Sequence, residues 1–524
     1  MNLHDHLPAF LIMVPFLGAF VTPFVASFGK NVRNTFFAVF AFIILLMGIS
    51  VCMTVFGESG KTLVYVMGGE SFNIALPSGM SYPVRILFEI DAFGALMILC
   101  ISIATFAGAL FSINYMDRFS GWKRFLPLYF LMSAGATGMC ATGDLFNFFV
   151  FVEISSIASF GLVAFWRDKP EAVEASFKYM LISQIAAMLL LIAIGTLYGK
   201  YNAVNMAALG SMIKTGTMER IVLALVIGVL AFKCGTFPMH SWMPDAYAEA
   251  PSGVTCLLVT VSQASFYGLI RVCYSLFPRL EVGSTVGWIL IVLGCMSMFF
   301  GVMMAVVQHE IKRLMGYHSI SQVGYMLMAM GVGLLALQNS EAITAYGLAA
   351  MKGGLFHVMN YSMYKGLLFL CAGALYYATG TRDLDKMGGL ARNMPWTTGM
   401  FVVAAAAISG LPPFNGFVSK WMIYESSFAV HPALPAVAMI TSVLTLASFA
   451  KVFQAAFLGP AKAKFVAVRE VPYGMLAGMA LLTVMTLLLT LFPGWFTNNV
   501  FDKAAKALLD QQGYIDAVMT LGGM

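Results

Sequence analysis

The chain has 524 residues, 60% of them hydrophobic and 10% charged, with a mean hydropathy of +0.85. A soluble domain carries roughly 25% charged residues, so a soluble globular protein is excluded. The formal charge of +6 is accounted for by basic loops and calls for no nucleic-acid partner. The cysteines at 52, 100, 140, 234, 256, 273, 295 and 371 all lie in apolar runs without a CxxC pair. They read as packing residues, with no metal or iron–sulfur site and no glycine-rich phosphate loop in the chain.

Apolar runs of about 20 residues, enough to span ~30 Å of hydrocarbon, recur from end to end. Fourteen are predicted, at 7–28, 35–56, 90–115, 125–142, 145–166, 178–198, 220–238, 253–274, 285–307, 319–336, 343–378, 398–424, 434–458 and 472–493, the eleventh long enough to bend. An all-α, multi-pass protein of the cell (cytoplasmic) membrane is expected. MNLHDHLPAFLIM lacks a basic n-region and runs straight into the first span, so no cleaved signal peptide is expected. With the N-terminus outside, 15 of the 30 Lys and Arg fall in inside loops and nine outside, counting Arg271 near a span end. The positive-inside rule then places both termini on the outer side.

Six lysines remain, at 178, 233, 352, 365, 420 and 451, within spans or at their shoulders, and no arginine is expected deep. A charge at the bilayer centre costs at least ~2.5 kcal/mol, and a desolvated lysine, unlike arginine, can exchange its proton. Lys352 and Lys451 read equally well as static partners or snorkelling residues. Lys233, Lys365 and Lys420, in apolar surroundings, read as proton carriers. Glu153, in FNFFVFVEISSIASF, is the one carboxylate well inside a span and is the expected partner for Lys233.

Two spans are broken. VLAFKCGTFPMHSW (229–242) places Pro238 five residues after Lys233, and ISGLPPFNGFVSKW (408–421) places Gly410, Pro412, Pro413 and Gly416 before Lys420. Interrupted helices in corresponding halves point to an ion site, because freed carbonyls and half-helix ends can solvate charge. FKYMLI (177–182) resembles YKGLLF (364–369), 187 residues later, and Lys178–Lys233 and Lys365–Lys420 are both separated by 55 residues. An internal repeat is expected. Between the breaks, HVMNYSMYK (357–365) sets His357, Tyr361 and Lys365 along about 12 Å of one helix face.

Together these segments resemble the antiporter-like, proton-translocating subunits shared by respiratory complex I, Mrp-type Na⁺/H⁺ antiporters and energy-converting membrane-bound hydrogenases. The resemblance is carried by GDLFNFFVFVEISS (143–156), FKCGTFPMHSWMPDAYAEAPS (232–252), EIKRLMGYHSISQVGY (310–325), HVMNYSMYKGLLFLCAGAL (357–375), GTRDLDKMGGLARNMP (380–395) and GLPPFNGFVSKW (410–421). It implies fourteen helices, with two inverted five-helix repeats containing broken helices 7 and 12. The expected division is 1–124 for the first three helices and a loop, 125–274 and 285–458 for the repeats, and 459–524 for the last helix and an amphipathic tail.

The resemblance also implies roles: Glu153 with Lys233 as the first proton site, Lys365 and His357 as a central relay, and Lys420 as the terminal site. Lys178, Gln263, Tyr267, His318 and Tyr361 are further relay candidates. Several positions depart from the family pattern: Val152 stands for a Trp, Gln263 for a Lys or His, and Tyr361 and Tyr247 for histidines. Gln263 cannot titrate, so a bridge to Lys365 would need water or Tyr267.

The leading functional reading is a proton- or Na⁺-translocating subunit of a redox-driven pump, an energy-converting hydrogenase or complex I-like oxidoreductase. Its iron–sulfur clusters and any nickel–iron centre would sit in peripheral partner subunits, since this chain offers no redox centre. The alternatives are the D-type subunit of a Mrp antiporter and a membrane scaffold that no longer transports.

Overall fold

A chain this apolar has no water in a bilayer to satisfy its backbone, and a helix pairs every interior N–H and C=O within itself. The computed structural model describes residues 6–57, 62–68, 74–75, 81–82, 85–277, 279–460 and 462–519. The first five residues of the N-terminal segment read for a signal peptide lie outside them. Among the described residues, ten helices are long and apolar enough to cross a membrane, so the protein is a mostly helical, multi-pass membrane protein.

The chain begins with α1 (Leu7–Val25) and α2 (Lys30–Gly57). A small hairpin follows, in which β1 (Leu63–Val66) pairs antiparallel with β4 (Leu87–Ile90), and β2 (Ile74–Ala75) with β3 (Ser81–Tyr82). Next come α3 (Ala92–Tyr115), α4 (Trp122–Ala141), α5 (Leu145–Val163), α6 (Pro170–Tyr201) and the short α7 (Met206–Met212). The first broken span is α8 (Thr217–Cys234) followed by α9 (Trp242–Glu249). The chain continues with α10 (Ser252–Arg271), α11 (Arg279–Val306), α12 (Ile311–Ala336) and one turn, α13 (Ser340–Ala342). A widened turn at Ile343–Gly347 leads into α14 (Leu348–Thr379), so the irregularity in the long eleventh run lies at its start. The second broken span is α15 (Pro395–Ser409) and α16 (Asn415–Phe428). Then come α17 (Ala433–Phe453), α18 (Tyr473–Leu491) and a tail of α19 (Pro493–Phe496), α20 (Asp502–Leu509) and α21 (Gln511–Met519).

Three helices form the axis of the bundle. α10 and α12 are buried almost throughout, and α14 is buried over nearly all its length. All three carry Ser, Gln, His or Lys among apolar residues, which an interior position against other helices explains and a lipid-facing one does not. α11 and α12 pack closely along Gly287, Gly294 and Gly301, which recur every seven residues. A Cβ on Gly294 would come 2.7 Å from the Gly324 carbonyl oxygen, and one on Gly301 2.7 Å from the Ser321 nitrogen. Small residues in this register let two backbones approach where no hydrophobic effect drives helices together.

The first and last described segments lie at one end of the bundle. His6 Nδ1 is 3.0 Å from the Tyr65 hydroxyl of the hairpin, and Lys503 and Tyr514 of the tail bond to the Phe56 carbonyl and to Glu89. The opposite end carries ion pairs among loops and helix ends, including Lys30–Asp117 and Arg382–Glu249. One expectation is corrected: Arg271, counted as an outside arginine, is 1% exposed, because it pairs with Asp91 inside the bundle.

Candidate functional site

The first helix break forms around Lys233. α8 stops at Cys234 because Gly235 adopts a left-handed conformation (φ +76°), and Pro238 has no N–H with which to continue. The carbonyls freed there are satisfied locally: Ala231 accepts from Thr236 Oγ1 at 2.9 Å, and Phe232 from Trp242 Nε1 at 3.0 Å. Lys233 is buried in the last turn of α8, where the negative end of the half-helix favours a cation. Its ammonium donates to Ser156 Oγ of α5 at 2.9 Å and to Ser183 Oγ of α6 at 2.5 Å.

Glu153 is close by but forms no ion pair with Lys233 among the described residues. It accepts from Gln184 Nε2 at 2.9 Å, and its Oε1 is buried without a hydrogen bond. α5 and α6 therefore each contribute one residue to the lysine (Ser156, Ser183) and one to the carboxylate pair (Glu153, Gln184). Lys233 and Glu153 thus bond to different neutral polar groups on α5 and α6 rather than to each other.

The second break forms around Lys420. Gly410 (φ +73°) ends α15 as Gly235 ends α8, and the helix resumes at Asn415. Here the lysine follows the break and reaches back across it. Its Nζ donates to the freed Ile408 carbonyl at 2.8 Å and to Ser442 Oγ at 3.0 Å. Ser442 in turn donates to the Ser409 carbonyl at 2.9 Å. The ammonium also lies 4.8 Å from the centre of the Tyr325 ring, within cation–π range.

Between the breaks lie buried polar groups, most of them on the axial helices. Tyr247 of α9 donates to Ser262 Oγ at 3.0 Å. Gln263 donates to the Val358 carbonyl at 2.9 Å and accepts from Ser362. Lys365 is fully buried, and its ammonium donates to the Met315 carbonyl at 2.5 Å. Tyr364 donates to Gln322 Oε1 at 3.3 Å and is 3.4 Å from His357 Nε2. His357 Nδ1 is 3.1 Å from Ser419 Oγ, one residue before Lys420. Asn360 and Asn415 bond to each other at 2.8 Å, and Asn360 also donates to Ser419 Oγ at 3.0 Å. Tyr361 is buried, with its hydroxyl beside Ser262 and Ser319.

Other expected residues lie elsewhere. Lys178 is half-exposed at the loop end, paired with Glu174 at 2.6 Å and Asp245 at 3.7 Å. Lys352 pairs with Asp502 of the tail, and Lys451 donates to the carbonyls of Val306 and Gln308 at 2.7 and 2.8 Å; both hold elements together. His318 Nε2 is 2.8 Å from Ser448 Oγ, joining α12 to α17. Tyr267 does not bridge Gln263 and Lys365: its hydroxyl accepts from Arg271 Nη2 at 3.1 Å, one turn toward the terminal end. The 187-residue register also pairs unlike environments. It carries half-exposed Lys178 onto buried Lys365, and Lys233 before its break onto Lys420 beyond its own.

Sequence reasoning misses Ser156, Ser183, Gln184, Asn360, Ser419 and Ser442. Their signal is available as polar residues within apolar runs, but many serines in spans bond only to their own helix, as Ser102 does to Ile98. Among the described residues, no group of His, Cys, Asp or Glu is placed to hold a metal ion.

A membrane bundle with buried lysines at two helix breaks and further buried polar groups between them defines an antiporter-like membrane protein. The family described as NADH:quinone oxidoreductase/Mrp antiporter, TM, matches residues 142–445, and the chain belongs to it. It is 32% identical to the D-type Na(+)/H(+) antiporter subunit of Alkalihalophilus pseudofirmus, over 97% of this chain and 98% of that protein. It is 31% identical to the N-type subunit of the NADH-quinone oxidoreductase of Desulforudis audaxviator, over 95% of this chain and 98% of that one. Among solved structures, a chain of the Mrp complex from Dietzia sp. DQ12-45-1b superposes with a TM-score of 0.86 at 27% identity, covering 99% of this chain and all of that one. These relatives belong to larger membrane assemblies, so other membrane subunits are this chain's partners.

Proposed function

We propose that this chain moves protons, or exchanges them for Na⁺, along the polar chain from Lys233 through Gln263, Lys365 and His357 to Lys420. The observation that carries this is the burial of three lysines on three different helices, with amide, hydroxyl and imidazole groups between them. A static scaffold would gain nothing from three desolvated ammonium groups, each of which costs several kcal/mol. Glu153 sets the charge on Lys233, the middle groups pass the proton, and Lys420 is the terminal station.

The driving force comes from outside this chain. In the leading reading it is a redox reaction in peripheral subunits carrying iron–sulfur clusters and a nickel–iron centre, in a complex I-like or hydrogenase assembly of the cytoplasmic membrane. The near-complete alignment with a D-type antiporter subunit supports a second reading, in which this chain plays that part in a Na⁺/H⁺ antiporter driven by ion gradients. Fourteen spans, inverted repeats over 125–274 and 285–458, and outward-facing termini belong to both. The assembled complex, reconstituted in vesicles, tests them. Acidification on adding electron donor without an ion gradient favours the first; a pH change on a Na⁺ pulse alone favours the second. If Lys420→Ala leaves either signal at full size, the proposed path is wrong.

A further inference from the structure

At the end of the bundle that carries the hairpin and the tail, a second set of buried ionisable groups takes no part in the path above. Three helix starts converge there, each capped by its own side chain. Asp91 accepts from the Gly94 nitrogen at 2.9 Å, Asp144 from that of Asn147 at 2.7 Å, and Asn205 from that of Ala208 at 3.0 Å. Glu89, on strand β4, lies among them and is 1% exposed. It accepts from Asn205 Nδ2 at 2.7 Å and from the Tyr514 hydroxyl of the tail. Gly143 presses against it so closely that a Cβ there would overlap the Glu89 carboxyl group. Arg271, at the end of α10, donates through Nη2 to Asp91 Oδ1 at 2.6 Å and to Tyr267.

The charges of this cluster do not balance. Glu89, Asp91 and Asp144 are three buried carboxylates, and the fully buried cation among them is Arg271. Carboxylates left without a counter-charge in a low dielectric relieve the cost by taking a proton. Two further atoms, Oδ2 of Asp91 and Nη1 of Arg271, are buried with no hydrogen bond among the described residues, so the network can accept and donate once more. The charged and titratable groups around Glu89 are Asp144 before α5, Arg271 on α10 and Tyr514 on α21, with Asp91 and Tyr267 bonded to Arg271. Burial raises the Glu89 carboxyl to about 7; the hydrogen bonds from Tyr514 and Asn205 and the charge of Arg271 oppose this, and Asp144 adds to it.

The cluster also has a physical connection to the axis. Gln263, Tyr267 and Arg271 are four residues apart on α10, hence on one face, and span about 12 Å from the Ser362 contact to Asp91. We propose that Glu89, with Asp91 and Arg271 around it, is a proton-binding site at the terminal end of the bundle, joined to the central chain through Tyr267 and Gln263 and exchanging with the water on that side. Tyr514, from the tail packed over the cluster, stands between Glu89 and solvent. The proposal rests on the proton-translocation reading for its purpose, but the site itself can be read without transport.

The test is infrared difference spectroscopy on the whole complex as pH is stepped through about 7. Wild type should lose a protonated-carboxyl C=O band as pH rises; Glu89→Gln should lack that band, and Glu89→Asp should restore one. In vesicles, the dependence of transport on terminal-side pH should lose its inflection in Glu89→Gln while the dependence on the other side persists. A band unchanged in Glu89→Gln, or one displaced by Na⁺ at constant pH, overturns the assignment. A titrating Glu89 in a complex that moves no ions upholds the site and defeats the transport reading instead.

Discussion

The two broken helices solve one problem in opposite ways. At the first, the lysine precedes the break and the freed carbonyls are taken by Thr236 and Trp242, leaving Lys233 to two serine hydroxyls on neighbouring helices. At the second, the lysine follows the break and takes a freed carbonyl itself, with Ser442 bridging to the next one. Among the described residues, only the first has a carboxylate nearby, in Glu153. A backbone carbonyl cannot be moved or protonated, whereas a serine can rotate and a glutamate can approach or retreat. On the proposed reading, Lys233 is the site its neighbours switch, and Lys420 the one held more firmly in place by a backbone carbonyl.

The largest effect should come from removing either lysine. Lys233→Ala and Lys420→Ala should each cut coupled transport by about 10²-fold or more, the scale of losing a positioned proton-transfer group. The complex should still assemble, since the desolvation cost goes with the charge. Arginine at either position should fail as well, because guanidinium keeps its proton. Gradient formation in vesicles, beside a subunit count of the purified complex, checks both halves of this expectation. A normal gradient from either alanine variant refutes it.

Glu153 should separate the two sites next. Glu153→Gln should reduce transport roughly tenfold or more, since one pKa unit on Lys233 corresponds to about 1.4 kcal/mol, and Glu153→Asp should retain part of the rate. If both variants run near the wild-type rate, the carboxylate does not govern Lys233. If Asp is as inactive as Gln, geometry outweighs charge.

The hydroxyls test the contrast most directly. A hydrogen bond to a charged group is worth about 1.5–3 kcal/mol. Ser156→Ala combined with Ser183→Ala strips Lys233 of both its partners and should slow transport about tenfold. Ser442→Ala leaves Lys420 its Ile408 carbonyl and should cost several-fold less. Equal losses in the two variants would remove the distinction between the sites.

The smallest effect should arise midway, at Gln263. Gln263→Leu removes the bonds to Val358 and Ser362 and dries the connection, so transport should fall a few-fold at the ~1 kcal/mol scale of a neutral hydrogen bond. Gln263→Lys should keep transport and change its pH profile. Unaltered rates in the leucine variant would show that the two lysine sites communicate by another route.

What the sequence determined by itself was the class of molecule and the placing of its charges. Apolar run length forced membrane helices, and Gly–Pro punctuation marked both breaks, because a helix without N–H donors must stop. The cost of a buried ammonium singled out Lys233, Lys365 and Lys420, and the structure finds all three buried. The partners of those lysines were not legible. A serine in an apolar run reads the same whether it bonds to its own helix, as Ser102 does, or to a lysine on another, as Ser183 does; only the rotation of α6 against α8 decides. The same limit hid Arg271: near a span end it reads as a solvated charge, and only the packing of α10 beside the start of α3 gives it Asp91 and keeps it from water. Periodicity along one helix is a local property, but the pairing of polar groups across helices depends on the angle and rotation at which they meet, which only tertiary packing fixes.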